Sequence, residues 1–379
     1  MSTQAETGAP AFRLGYRPEL DGVRGIAILL VLLHHAGTAP VGGFLGVDLF
    51  FVLSGFLITL LLAQEWEETG TISLKAFYMR RVLRLVPALL AFILVLLVLG
   101  WCGGPACLRL GNELWFTLGY CLNWAIAYGW TSYRSPLVIA WSLSIEEQFY
   151  ILWPPLFRSA LRSARGHSSI VAVLVLLVLG VACWREWTLV DWLRGFPANL
   201  YMQGVTPQDV FPRSLFFKLY YSSHTRADGL LLGCIFGLLV AWRLVDDRLR
   251  WLLRAVGFAA LLGLVACLLQ VNARDVRLFT VNLTLINLGF ALCVFNLVRW
   301  PGAWSLSLLR LTPLVWLGKI SYALYLWHYA FYVWVESEQL RGWTGPAVIV
   351  VGSILTATGS YFIVERPALK LKKRWKTFA

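Results

Sequence analysis

Arg24 and His35 stand eleven residues apart in an apolar stretch. At about 100° per residue that offset ends roughly 20° beyond three full turns, so one helix face carries both, about 16 Å apart along the axis. His34 points about 100° away from His35. Asp48 follows a short uncharged Gly/Pro turn and opens a second apolar stretch. The hairpin, residues 22–58, reads GVRGIAILLVLLHHAGTAPVGGFLGVDLFFVLSGFLI. Ionisable groups in membrane helices are costly and face a protein interior or a watery cavity. A carboxylate on one ring nitrogen fixes the tautomer and raises the basicity of the other, which is how a general base is built. Asp48, or the adjacent pair Glu146 and Glu147 in WSLSIEEQFYILWPP, is the candidate partner of His35. The competing reading of Asp48 is an ion pair or a carboxylate favoured at a helix start.

Arg81 and Arg84 share a helix face in YMRRVLRLVPALL. Guanidinium groups match phosphates geometrically, so the pair could clamp a phosphate-bearing donor such as an acyl-coenzyme A. Anchoring at the cytoplasmic surface explains the same arginines. Arg226 and Asp228 begin RADGLLLG, and Ser321, Tyr325 and His328 share a face in GKISYALYLWHYAFYVW. Buried salt bridges that fix helix packing are the alternative for each.

Helices must carry these groups. Only 14% of the 379 residues are charged, against roughly a quarter in a soluble chain, and the mean hydropathy is +0.68. The expected fold is all-α, a polytopic membrane bundle with spans near 24–39, 44–64, 82–101, 141–157, 169–184, 227–242, 252–270, 278–298, 313–335 and 344–363. Basic clusters at 65–84, 158–168, 243–251 and in the tail fall on one side if both termini are cytoplasmic. That placement explains the net charge of +13 without nucleic acid. Segment 112–130 breaks the alternation if it spans, and is read as a re-entrant or interfacial helix. Loop 185–226 is long enough to cap the outer mouth. No cleavable leader is apparent, so the organisation is a cytoplasmic segment 1–23, a membrane domain 24–364 and a basic cytoplasmic tail 365–379. The seven cysteines have no metal-type spacing and no metal is expected; a disulfide between Cys102 and Cys107 stays open.

Arg24, ten residues, His35, then GVDLFFVLSGFLI is similar to the membrane acyltransferase family 3. RRVLRLVPA, WSLSIEEQFYILWP, RADGLLLG, ISYALYLWH and VERP extend the resemblance, in order, over nearly the whole chain. It implies about ten helices in a bacterial cytoplasmic membrane. It also implies transfer of an acyl group, commonly acetyl, from acyl-CoA to a hydroxyl of lipopolysaccharide, exopolysaccharide or a macrolide. The family's Arg–ten–His pattern falls on Arg24 and His35, and its Arg-x-x-Arg pattern on Arg81 and Arg84. Many members carry an extra hydrolase-like domain after the membrane part. Since this chain ends at Ala379, the acyl group is expected to be transferred within the membrane domain or to a separate accepting protein.

The expected arrangement is therefore Arg24, Arg81 and Arg84 on acetyl-CoA or another acyl-CoA, with His35 as base and Asp48, Glu146 or Glu147 as its orienting carboxylate. Tyr325, His328, Arg226 and Asp228 are expected around the sugar or macrolide acceptor. A transporter or flippase of an acylated or glycosylated small molecule is the alternative, weakened by the absence of inverted repeats in the sequence.

Overall fold

The computed structural model describes residues 13–38, 40–163, 166–195 and 206–372. Every regular element among them is helical. The long helices are α1 (Pro18–His35), α2 (Gly46–Thr69), α3 (Leu74–Trp101), α4 (Ala140–Ser163), α5 (His167–Arg194) and α6 (Ser223–Ala241). They continue as α7 (Arg250–Gln270), α8 (Val281–Arg299), α9 (Thr312–Lys319), α10 (Ser321–Ser337) and α11 (Thr344–Leu371). Local chemistry marks several ends. Proline opens α1, with Glu19 and Asp21 in its first turn where the helix dipole favours acids. Ser73 caps α3 by accepting from the Ala76 N–H. Gly70 closes α2 in the left-handed region at φ 68°.

Among the described residues seven stretches are long and apolar enough to cross a membrane: 41–69, 74–101, 167–194, 213–241, 247–270, 281–299 and 344–371. The apolar windows of the first and fourth are 78% buried, whereas those of 247–270 and 344–371 are 11% and 17% buried. Helices α2 and α6 are thus the centre of the bundle, while α7 and α11 turn leucine, valine and phenylalanine outward toward the lipid position. Close approach at the centre depends on glycine. A Cβ on Gly55 of α2 would sit 2.0 Å from the Leu230 carbonyl oxygen of α6.

Three further helices, α1, α4 and α10, fall short of that apolarity, and these three carry Arg24 with His35, Glu146 with Glu147, and Tyr325 with His328. They are packed inside the bundle, where polar groups meet protein instead of lipid.

The structure departs from the sequence expectation at three places. The span expected at 313–335 is broken at Ile320 into α9 and α10. Gly318 near the break lies so close to α1 that a Cβ there would be 1.8 Å from the Asp21 carbonyl oxygen, so α9 bends to follow α1. Segment 112–130 forms two six-residue helices, Glu113–Leu118 and Leu122–Ala127, with Tyr120 at φ 51° between them. Each is far too short to cross a bilayer. Within the expected loop 185–226, α5 runs on to Arg194 and a further helix occupies Arg213–Tyr221. Cys102 and Cys107 are free thiols. The turn GFPAN beyond Gly195, residues 1–12 of the N-terminal segment and residues 373–379 of the tail lie outside the described residues.

Candidate functional site

Six of the side chains singled out above line two cavities: Arg24, Arg81, Arg84 and Glu146 the first, His35 the second, and Tyr325 both. The first, of about 80 Å³, is lined by Arg24 of α1, Arg81 and Arg84 of α3, and Glu146 and Tyr150 of α4. The Arg81 guanidinium stacks 4.5 Å from the centre of the Tyr150 ring. Glu146 accepts hydrogen bonds from Ser54 at 3.1 Å and Tyr150 at 3.0 Å, and the Tyr150 hydroxyl also bonds Ser54 Oγ at 3.0 Å. Arg24 has Asp21 at 3.5 Å. Among the described residues neither Arg81 nor Arg84 forms a salt bridge, so this cavity carries a surplus of positive charge.

The second cavity, about 720 Å³, has His34 and His35 at the end of α1 in its wall, with Tyr325, Tyr329 and Tyr332 of α10. Its volume is that of a pocket for a ligand of sugar or drug size. Trp141, Phe211, Phe216 and Tyr220 give it aromatic faces, and Tyr133, Asp209, Arg213 and Arg274 stand at its mouth. At the mouth, Arg134 and Arg213 beside Tyr133 hold its phenol below the ordinary value. Hydrogen bonds from Thr206 hold the Asp209 carboxyl below the usual carboxylate range.

His35 is fixed by its own helix. Its Nδ1 lies 3.0 Å from the Val31 carbonyl oxygen. A carbonyl can only accept, so Nδ1 bears the proton and Nε2 of the neutral ring is left as a lone-pair acceptor. His34, His328, Tyr329 and Tyr332 surround the ring with centroids 5.0 to 5.4 Å away. His328 is held the same way, Nδ1 to the Leu324 carbonyl at 3.0 Å, and its buried Nε2 has no partner. It stands behind His35 and lines neither cavity, so it is not the acceptor contact expected from the sequence.

The carboxylates are arranged differently from the expectation. Among the described residues no hydrogen bond joins His35 to Asp48, Glu146 or Glu147; the orienting acceptor is the Val31 carbonyl. Both oxygens of Asp48 lie 3.0 Å from Nη2 of Arg226, which is itself buried and needs the counter-charge. The Arg226 guanidinium packs over Tyr220 at 5.0 Å and Trp141 at 5.7 Å. Asp228 pairs with Arg185 of α5 at 3.0 Å and accepts from Thr284 at 2.7 Å and Asn287 at 3.3 Å, both on α8. Asp48, Arg226 and Asp228 line neither of these two cavities; they lock α2, α5, α6 and α8 together. Of the adjacent acids, Glu146 faces the first cavity, while Glu147 has a buried oxygen without a partner and does not line it.

Sequence reasoning missed three contributors. Tyr150 lies four residues after Glu146, a spacing that places both on one face and could have revealed it. Ser54 donates to Glu146, a contact across 92 positions that no local pattern shows. Arg185, expected in an outer loop, is fully buried in α5; no local pattern announces its partner 43 positions away.

Comparison with known proteins places the chain in a family. The family described as an acyltransferase domain matches residues 17–365. The chain is 32% identical over 378 residues to a putative peptidoglycan O-acetyltransferase, YrhL, of Bacillus subtilis, covering 93% of this chain and 55% of that protein. It is 28% identical over 371 residues to the peptidoglycan O-acetyltransferase OatA of Listeria monocytogenes, covering 94% and 56%. The O-acetyltransferase OatA of Staphylococcus aureus is 29% identical over 380 residues, covering 96% and 58%. The chain spans little more than half the length of these curated relatives. No solved structure matches it.

Proposed function

The chain belongs to the acyltransferase domain family, and on that premise we propose that it is an integral-membrane O-acyltransferase that moves a short acyl group, acetyl foremost, onto a sugar hydroxyl. The observation that carries the reading is His35, with Nδ1 tied to the Val31 carbonyl and the ring in the wall of the large aromatic cavity. Its Nε2 would take the proton of an acceptor hydroxyl as the oxygen attacks the acyl carbonyl. Aromatic faces suit the apolar faces of sugar rings, and the relatives named as peptidoglycan O-acetyltransferases favour a cell-envelope glycan over a macrolide as acceptor.

The proposed donor is an acyl-CoA. Arg81 and Arg84 carry no carboxylate partner among the described residues, so the small cavity has cationic capacity for a polyanionic donor. Glu146, Ser54 and Tyr150 would orient the cationic wall by their mutual hydrogen bonds. In this reading the arginine cavity opens toward the cytosol and the His35 cavity toward the outer face of a bacterial cytoplasmic membrane, with a sugar, or a separate accepting protein, arriving from outside.

The test is acyl transfer by the purified chain. Labelled acetyl-CoA is supplied with an envelope sugar, and both released thiol and labelled sugar are measured. Wild type is expected to form both in equal amounts. His35→Gln is expected to lower the rate about 10²–10⁴-fold, the usual worth of a general base, with unchanged thermal unfolding. Folded His35→Gln protein with near wild-type transfer would remove His35 as base. Absence of thiol release from the wild type would favour the transporter alternative.

A further inference from the structure

The two cavities touch at one wall. Only Val47 and Tyr325 line both. Tyr325 of α10 is 5% exposed, and its hydroxyl meets Ser142 Oγ of α4 at 2.5 Å. Ser142 faces the arginine cavity, and its neighbour Trp141 faces the histidine cavity, so α4 passes through the same wall. Phe50 braces the Tyr325 ring from the arginine side, ring centres 6.4 Å apart. The His328 ring lies 5.6 Å away on the other flank, next to His35. The shared wall between Arg84 and His35 is therefore made by Tyr325 and Val47.

We propose that the Tyr325–Ser142 hydrogen bond is a latch between the two cavities, closed in this structure, that keeps water of the large cavity away from the donor's acyl carbon. The inference rests on the reading that the small cavity takes the acyl donor and the large one the acceptor. One neutral hydroxyl–hydroxyl bond is worth little net against water, so it can open and close thermally. The aromatic ring is the actual barrier, and the hydrogen bond sets how often it stands in place. Phe50 flanks the ring on one side. When the latch fails, water can replace the acceptor: its oxygen bonds to the acyl carbonyl carbon, the carbon–sulfur bond breaks, and the products are the free carboxylic acid and the thiol.

The experiment measures two rates on the purified full chain with labelled acetyl-CoA: thiol release without acceptor, and sugar acylation with it. Wild type is expected to release thiol slowly unless the sugar is present. Ser142→Ala and Tyr325→Phe delete the same bond, so each is expected to raise acceptor-independent release relative to transfer by about five-fold, the factor such a bond is worth. The double variant should rise no further. Tyr325→Ala, which also removes the barrier ring, should exceed all three. Thermal unfolding confirms that each variant is folded, and Ser142→Ala, the smallest change, carries the test if a tyrosine variant is not. A release-to-transfer ratio equal to wild type in folded Ser142→Ala and Tyr325→Phe would overturn the latch while leaving the donor assignment intact. A wild type that never releases thiol would overturn the donor assignment and the latch with it.

Discussion

A histidine near the end of a helix can be aimed without a carboxylate. His35 and His328 both spend Nδ1 on the carbonyl four residues earlier, and this leaves Nε2 of the neutral ring as a lone-pair acceptor, which His35, unlike His328, brings to the wall of the large cavity. Spacing alone made His35 a candidate, but it pointed to Asp48 as the orienting group. A buried aspartate close in sequence is an attractive partner only while its true partner is unseen, and Arg226 lies 178 positions away from it. The arginines of α3 were legible in type and spacing, whereas their lack of carboxylate partners is a three-dimensional fact. Arg81→Gln and Arg84→Gln are each expected to raise the KM for acetyl-CoA about ten- to a hundred-fold, the cost of one charge-assisted contact, with a smaller change in kcat. Titration of initial rates against donor concentration measures this; an unchanged KM in both variants would return the arginines to surface anchoring.

Helices were read well where apolar residues run long and poorly where polar ones interrupt. The seven apolar stretches correspond to spans expected from the sequence. Helices α1, α4 and α10 are less apolar because they carry Arg24, His34 and His35, Glu146 and Glu147, and His328 with its tyrosines, polar groups that neighbouring helices shield from lipid. The break at Ile320 was invisible, since its cause is the close approach of Gly318 to Asp21 from the far end of the chain. The same holds for the Arg185–Asp228 and Arg226–Asp48 pairs, which join helices remote in sequence. Removing one partner strands a buried charge. Arg185→Ala and Asp228→Ala should each destabilise the protein by about 3–5 kcal/mol, seen as an earlier thermal transition in detergent. The double replacement by leucine should recover much of that loss. Equal stability of the single variants and wild type would show that the pair does not lock α5 to α6.

At the scale of the whole molecule, two central helices hold a bundle in which a cationic cavity and an aromatic cavity meet at one tyrosine. The charge pattern of the loops gave an expected orientation and the family resemblance implied an acyl-CoA donor, while the side of the acceptor stayed open. Neither could give the cavities, because their walls draw on α1, α2, α4, α10 and the helix Arg213–Tyr221 at once. The central claim is that donor and acceptor enter from opposite faces. Reconstitution of the protein into sealed vesicles tests it most directly, with labelled acetyl-CoA enclosed and the sugar acceptor supplied only outside. Labelled sugar is expected outside with wild-type protein, free thiol should stay within, and His35→Gln vesicles should give neither. Labelled sugar formed only when donor and acceptor share one compartment would contradict the account.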